Sequence, residues 1–244
     1  MKQRADLLLV ERGLATTRAQ AQALLLAGRV YWGERRIDKA GVQLPREAEI
    51  EVRAEDRYVS RGGLKLEGAL RALDVPVLGA TCVDVGASTG GFTDCLLQHG
   101  AGKVYAVDVG HGQLAAKLRA DSRVIVRERT NARNLVASEF EERVDLIVVD
   151  ASFIGIEKLM PALARVLSPG AQLLVLVKPQ FQAGREAARK ARGVIRDPEV
   201  RRAAIAGARD AILGAGFELL GECDSSLPGP KGNLEHFVWA ARTL

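Results

Sequence analysis

A chain of 244 residues, 48% of them hydrophobic, is long and apolar enough to bury a real core, so disorder is not its default state. A net charge of +5 and a pI near 9.3 suit a polyanionic partner without requiring one. Cys82, Cys95 and Cys223 are odd in number, widely separated and without metal-ligand spacing, which excludes a disulfide framework and a zinc site and fits reduced core thiols.

The first residues, MKQRADLLLVERG, carry an apolar patch too short for a signal peptide or a membrane span, and no later apolar run reaches spanning length. A soluble cytoplasmic protein that does not enter the membrane is expected. Apolar spacing predicts helices over residues 5–12 and 17–28, separated by Gly13 and restarted after Thr16 and Thr17. Short β segments follow at VYW, RRI, VQL and EIEV, so that residues 1–60 form a small α+β domain.

Apolar periodicity lapses over AEDRYVSRGG, residues 54–63, where the domain boundary is placed. Lys65 is read as the start of an amphipathic helix, KLEGALRALDV, stopped by Pro76. From there strand and helix alternate: TCVDV, GFTDCLLQHG, KVYAVDV, a helical run over 113–119, RVIVRE, DLIVVD, a helix over 156–167, and QLLVLVK. Strands this continuous in Val, Leu and Ile are buried on both faces, which predicts a doubly wound α/β domain with a largely parallel sheet over residues 61–244. After a polar, arginine-rich insertion at 182–196 come a helix from about 199 to 214 and the strands FELLGECD and HFVWAA, the last pair expected to be antiparallel. Basic residues crowd at Arg35 and Arg36 and again at Arg185, Arg189, Lys190 and Arg192.

The loop VDVGASTGGFTD, residues 83–94, ends a strand on Asp84 and turns through Gly86, Gly90 and Gly91, with hydroxyls on Thr89 and Thr93. Its G-x-x-x-G-G spacing lacks the pyrophosphate-cradling pattern of a dinucleotide site, and the acid ahead of the first glycine suits a ligand that carries positive charge, such as S-adenosylmethionine. Twenty-two residues past Gly86, Asp108 ends the second strand, where an acid accepts hydrogen bonds from ribose hydroxyls. Asn131 follows the third strand. Asp150 and Lys178 end strands at the same carboxyl edge as the glycine loop, and an ammonium behind five apolar residues calls for a carboxylate partner, Asp150 or Glu235.

Two resemblances carry these residues further. RADLLLVERGLATTRAQAQALLLAGRVYWGERRI resembles the S4-type RNA-binding domain, which implies RNA contact at Arg18, Gln22, Arg29, Arg35 and Arg36. Lys65, Asp150, Lys178 and Glu235 match the tetrad of the FtsJ-like ribose 2′-O-methyltransferases, a Rossmann-like family. Together with RYVSRGGLKL, VDVGASTGGFTD, VVDASFI and LVKPQF, the whole chain resembles the TlyA family. That family modifies cytidine ribose in ribosomal RNA and also carries a haemolysin label. The resemblance implies that Lys65, Asp150, Lys178 and Glu235 are catalytic and that Arg61 contacts RNA. It further implies that S-adenosylmethionine lies near Asp84, Gly86, Ala87, Ser88, Thr89, Gly90, Gly91, Phe92, Thr93, Asp108, Val109, Asn131, Ala132 and Asp150. The implied partner is ribosomal RNA or a ribosomal subunit.

The chemistry suits the residue types. A ribose hydroxyl becomes a useful nucleophile when it loses its proton, Lys178 is the candidate base, and Glu235 positions Lys65 or the ribose. Other chemistries lack their marks: the loop after the fourth strand reads DASF rather than an amino-methylating N-P-P-F type, and no cysteine is placed as a nucleophile. A non-catalytic RNA-binding assembly factor and a pore-forming haemolysin are the alternatives, and the second would need an amphipathic or spanning segment.

Overall fold

The computed structural model describes residues 2–53, 56–184, 189 and 191–243. Its contacts divide the chain into two compact units, Met1–Asp56 and Arg57–Leu244.

In the first unit, β1 (Lys2–Arg4) runs directly into α1 (Ala5–Glu11), and α2 (Arg18–Leu26) starts behind Thr17, whose side chain accepts the Gln20 amide at 3.1 Å. The predicted helices are therefore present, the first shorter by one residue and the second by three. Three strands, β2 (Val30–Trp32), β3 (Arg35–Ile37) and β5 (Ile50–Val52), make one antiparallel sheet with β2 in the middle. A strand the sequence reading passed over, β1, pairs with β4 (Gln43–Pro45) in a second small sheet. Three residues bearing Lys, Gln and Arg have no alternation to reveal a strand; β1 exists because β4 offers it backbone partners. Ala5, Leu8, Leu9, Ala21, Leu25, Val30, Ile37 and Leu44 close the core.

The second unit is a seven-stranded sheet flanked by helices. In chain order it contains α3 (Arg61–Leu73), β6 (Thr81–Val85), α4 (Gly91–Gln98), β7 (Lys103–Val107), α5 (Ala116–Arg119), β8 (Val124–Arg127), β9 (Leu146–Val149) and α6 (Met160–Val166). Then follow β10 (Gln172–Val177), α7 (Pro179–Gln182), α8 (Pro198–Gly214), β11 (Phe217–Asp224) and β12 (His236–Arg242). The strand order is β11-β12-β10-β9-β6-β7-β8. The pairs β10–β9, β9–β6, β6–β7 and β7–β8 are parallel, whereas β12 is antiparallel to both its neighbours. Period-two alternation sends Val83, Ile147, Val149 and Val175 to one face, with Ile205 and Ile212 of α8. It sends Cys82, Leu146, Val148 and Leu174 to the other, with Leu66 and Leu70 of α3 and Leu96 of α4. Burial on both faces explains why these strands read as unbroken apolar runs. The chain order reverses direction between β6 and β9, and ligands of open α/β sheets bind at such a switch, outside the carboxyl ends of the strands.

Three helices differ from the sequence reading. α3 starts at Arg61, four residues before Lys65, because Gly62 and Gly63 serve as close-packing positions inside its first turn and not as a linker. A Cβ on Gly63 would stand 2.4 Å from the Tyr58 Cβ. The run over 113–119 is helical only from Ala116, and the helix over 156–167 divides into a 3₁₀ turn, Ile156–Lys158, and α6. Pro161 lacks the N–H that would carry a helix through, and sits in the first turn of α6.

Cys82 and Cys95 are buried and Cys223 half-buried; burial pushes the thiols of Cys82 and Cys95 up to about 12, which leaves them inert as nucleophiles at neutral pH. Of the second basic cluster, Arg185 and Lys190 lie outside the described residues. Among the described residues no helix is long and apolar enough to cross a membrane.

Candidate active site

β6 carries the chain into the glycine loop. Val83 and Val85 face one core layer while Asp84 faces the other, and Asp84 is fully buried. Its Oδ2 accepts the Thr93 amide at 2.9 Å and the Thr93 hydroxyl at 2.7 Å, which ties the strand end to the first turn of α4; among the described residues Oδ1 has no partner. Burial drives this carboxyl up to about 7, reinforced by the charges of Asp150 and Asp108 and opposed by the Thr93 bonds. Gly86 has φ of 88°, and a Cβ there would lie 2.8 Å from the Asp150 carbonyl oxygen, so the β6 and β9 turns touch through a position that only glycine fills. Gly90, with φ of 97°, packs against Leu114 and Leu118.

A cavity of about 910 Å³ opens beside this loop. The loop contributes Gly86, Ala87, Ser88, Thr89, Gly91 and Phe92, and the strand ends contribute Asp150 and Lys178. Arg61 and Lys65 reach it from α3, and Glu235 from the turn into β12. The four expected catalytic residues thus share one cavity, and they resolve into two ion pairs. Lys65 Nζ lies 2.5 Å from Glu235 Oε2, with the side chains 9% and 1% exposed. Lys178 Nζ lies 2.5 Å from Asp150 Oδ1 and donates to Ser152 Oγ at 2.9 Å. Of the two carboxylates proposed as partners of Lys178, Asp150 is the one present; Glu235 serves Lys65.

The pairing follows from topology. Asp150 and Lys178 follow the parallel neighbours β9 and β10, so both emerge at the carboxyl edge. Because β12 runs the other way, its amino end meets the same edge, and His236 pairs with Val177, which puts Glu235 beside Lys178 in register. Gly229 makes room for Glu235, since a Cβ there would stand 2.6 Å from Oε1.

Other expected cofactor residues stand outside the cavity wall. Asp84 and Thr93 lie beneath the loop. Asp108 accepts the amides of Ser88 at 2.9 Å and Gly110 at 2.6 Å, which holds the loop against the end of β7. Val109 is exposed, Ala132 is buried, and Asn131 caps the 3₁₀ turn Ala132–Asn134 by accepting the Arg133 amide at 3.1 Å. The wall also includes residues not singled out from sequence: Ser60, Ser152, Phe153, Gln180, Phe181, Lys231 and Asn233. The fragments DASF and KPQF flagged the right turns, yet their phenylalanines read as ordinary apolar residues. Phe153 is 89% exposed, with φ of 65° and its ring 4.9 Å from that of Phe181.

A nucleoside-sized ligand with a cationic end fits these residues: the cavity has the volume, glycine backbone lines one wall, and a buried carboxylate oxygen without a partner lies under it.

In the first unit, Arg18 and Gln22 both donate to the buried Asp6, at 2.8 and 3.1 Å. Arg29 Nε donates to the Arg53 carbonyl at 3.0 Å, while Arg35 is exposed on the hairpin and Arg36 lies over Gly28. Arg61 lines the cavity of the second unit.

Fold and site define an S-adenosylmethionine-dependent methyltransferase. The fold matches that of a solved S-adenosylmethionine-dependent methyltransferase from Mesorhizobium loti, with a TM-score of 0.54 over 72% of this chain and 96% of the other at 18% identity. Residues 58–242 match the FtsJ-like methyltransferase family and residues 3–50 the S4 domain, and the chain belongs to the FtsJ-like methyltransferases. It is 46% identical, over 97% of its length and 88% of the relative's, to the 16S/23S rRNA (cytidine-2′-O)-methyltransferase TlyA of Mycobacterium tuberculosis. A solved structure from Streptococcus thermophilus that carries a hemolysin label matches 99% of this chain and 89% of its own, with 40% identity and a TM-score of 0.76.

Proposed function

We propose that the protein methylates the ribose 2′-hydroxyl of cytidine in ribosomal RNA, with residues 1–60 as the RNA-binding domain and 61–244 as the catalytic one. The observation that carries the proposal is the two lysine–carboxylate pairs, the buried Lys65–Glu235 and the half-buried Lys178–Asp150, on one cavity beside the glycine loop. A domain that served only as scaffold would gain little from two lysines at the edge of an apolar sheet, since paired buried charges stabilise weakly at best. The match to rRNA ribose methyltransferases over nearly the full chain supports the acceptor.

S-adenosylmethionine would supply a methyl group on a sulfonium, open to in-line attack. Gly86, Ala87, Ser88 and Thr89 would hold it from the loop side, with Asp108 fixing the loop. Lys178 is the candidate proton acceptor in its neutral amine form, the form in which Nζ has a lone pair to take the proton. Asp150 and Ser152 set the direction of its Nζ, which then faces the cavity where an acceptor hydroxyl would lie. Lys65, fixed by Glu235, adds positive potential that favours release of a proton from a hydroxyl held nearby. Arg61, on the cavity wall, would meet the phosphate next to the acceptor ribose.

Mapping alkali-resistant ribose methylation across both large rRNAs, with and without the protein, tests the reaction. Lys178→Ala is expected to lose at least about 100-fold in methyl transfer with RNA binding unchanged. Vigorous transfer by that variant would remove Lys178 from the chemistry.

A further inference from the structure

The apolar face of α1 contains a charge. Ala5, Asp6, Leu8 and Leu9 are its buried residues, and Asp6 is fully buried. An isolated carboxylate is costly in such a place, and a leucine or methionine would fill it better. Asp6 is instead saturated with donors. Oδ1 accepts Arg4 Nε at 3.0 Å and the Leu7 amide at 3.1 Å. Oδ2 accepts Arg4 Nη2 at 3.0 Å, Arg18 Nε at 2.8 Å and Gln22 Nε2 at 3.1 Å.

Two cations for one anion leave one unit of positive charge in excess. The arginine side chains are 39% and 56% exposed while their anchor is not exposed at all. A guanidinium has five N–H donors; Arg4 turns two of them inward and Arg18 one, so the remainder point away from Asp6. Because both groups touch the same Oδ2, their outward faces are neighbours. Arg4, Asp6 and Arg18 come from β1, α1 and the start of α2, so one buried oxygen holds cations from separate elements in a fixed array. The bond from Arg4, with those from Arg18 and Gln22, keeps the carboxyl far below the usual carboxylate range, so the array is intact at any pH where RNA is studied.

We propose that Asp6 is a positioning residue that sets Arg4 and Arg18 as a paired guanidinium seat for a backbone phosphate of RNA. Preordering removes the side-chain entropy that two free arginines would lose on binding. This inference rests on reading the first unit as RNA-binding.

The sign of one substitution separates positioning from bulk charge. Asp6→Asn deletes a negative charge, so a purely electrostatic surface would bind RNA more tightly; a positioned pair binds it less tightly. With the full chain and a labelled 23S rRNA transcript, titrated between about 50 and 200 mM salt, Arg4→Ala and Arg18→Ala should each weaken binding about tenfold. Each should also lower the slope of log affinity against log salt by about one. Asp6→Asn should approach the loss seen in Arg4→Ala/Arg18→Ala and add nothing in that background. A helical spectrum and melting curve accompany each variant, and if Asp6→Asn does not fold, Arg4→Lys takes its place: it keeps the charge, loses the fork, and should lose at least about threefold. Folded Asp6→Asn that binds as tightly as the parent, or unchanged binding by Arg4→Lys, overturns the positioning role. Unchanged binding by Arg4→Ala and Arg18→Ala would instead remove the RNA reading from this cluster.

Discussion

Replacing Lys65 by methionine separates what the Lys65–Glu235 pair does for the fold from what it does for the reaction. Glu235 is 1% exposed and its cationic partner lies at 2.5 Å, so the substitution leaves a carboxylate without compensation inside the protein. Breaking a buried pair from one side costs about 3–5 kcal/mol. For a unit of this size each kcal/mol lowers the melting temperature by about 2–4 °C, so the expected fall is about 6–20 °C. Lys178→Met leaves Asp150, which at 23% exposed can recruit water, and should melt closer to the parent. In Lys65→Met/Glu235→Gln the amide keeps the shape that fits against Gly229 and no charge is stranded, so most of the lost stability should return. Methyl transfer should not return. The assay is calorimetric or circular-dichroism melting of the full chain alongside labelled-methyl transfer to rRNA. A double variant that regains activity with stability would make the pair purely structural, and a Lys65→Met protein that melts above Lys178→Met would refute the burial argument.

Two further outcomes follow from the loop. Gly86→Ala must place a Cβ 2.8 Å from the Asp150 carbonyl at a φ of 88°, so titration calorimetry should show cofactor affinity reduced at least about tenfold. Gly79→Ala, at φ of 73° with open space around it, should leave cofactor binding intact, and equal effects from the two would refute the close-approach reading. Asp84 supplies a pH dependence. Its carboxyl titrates near 3.8 when unfolded and near 7 when folded, so its contribution to stability is complete below the unfolded value and is lost as pH rises through the folded one. The melting temperature of the parent relative to Asp84→Asn should therefore fall between about pH 4 and pH 7; parallel curves would show that Asp84 keeps an ordinary titration in the fold.

Much of the catalytic unit was legible because double burial writes itself into the sequence. Strands such as LIVV and QLLVLV carry no polar alternation, and a charge at the end of such a run has few places to be except the sheet edge, which found Asp150 and Lys178. Glu235 was offered by its position only as a possible partner of Lys178. Its partnership with Lys65, 170 residues away, depends on β12 entering the sheet antiparallel beside β10, a topological fact without a local signal. The start of α3 was misplaced because paired glycines look like a linker until Tyr58 is seen packed on one of them. Pro161 marked the break in the helix over 156–167 and could have been used. Asp6 was hidden differently: one aspartate in RADLLLV looks like a polar face, and its buried setting emerges only when Arg4, Arg18 and Gln22 are seen to converge on it.

The place of β12 also bears on how the protein is made. β12 is among the last elements in the chain, yet it lies inside the sheet, between β10 and β11. Until it is synthesised and docked, β10 is an open edge of six residues able to pair with another chain. The contact that docks it also delivers Glu235 to Lys65 over a long loop, a slow kind of closure. A nascent chain lacking this strand has the glycine loop, Lys65, Asp150 and Lys178 but no docked Glu235, so the Lys65–Glu235 pair proposed for the reaction forms in the same step that hides the sticky edge.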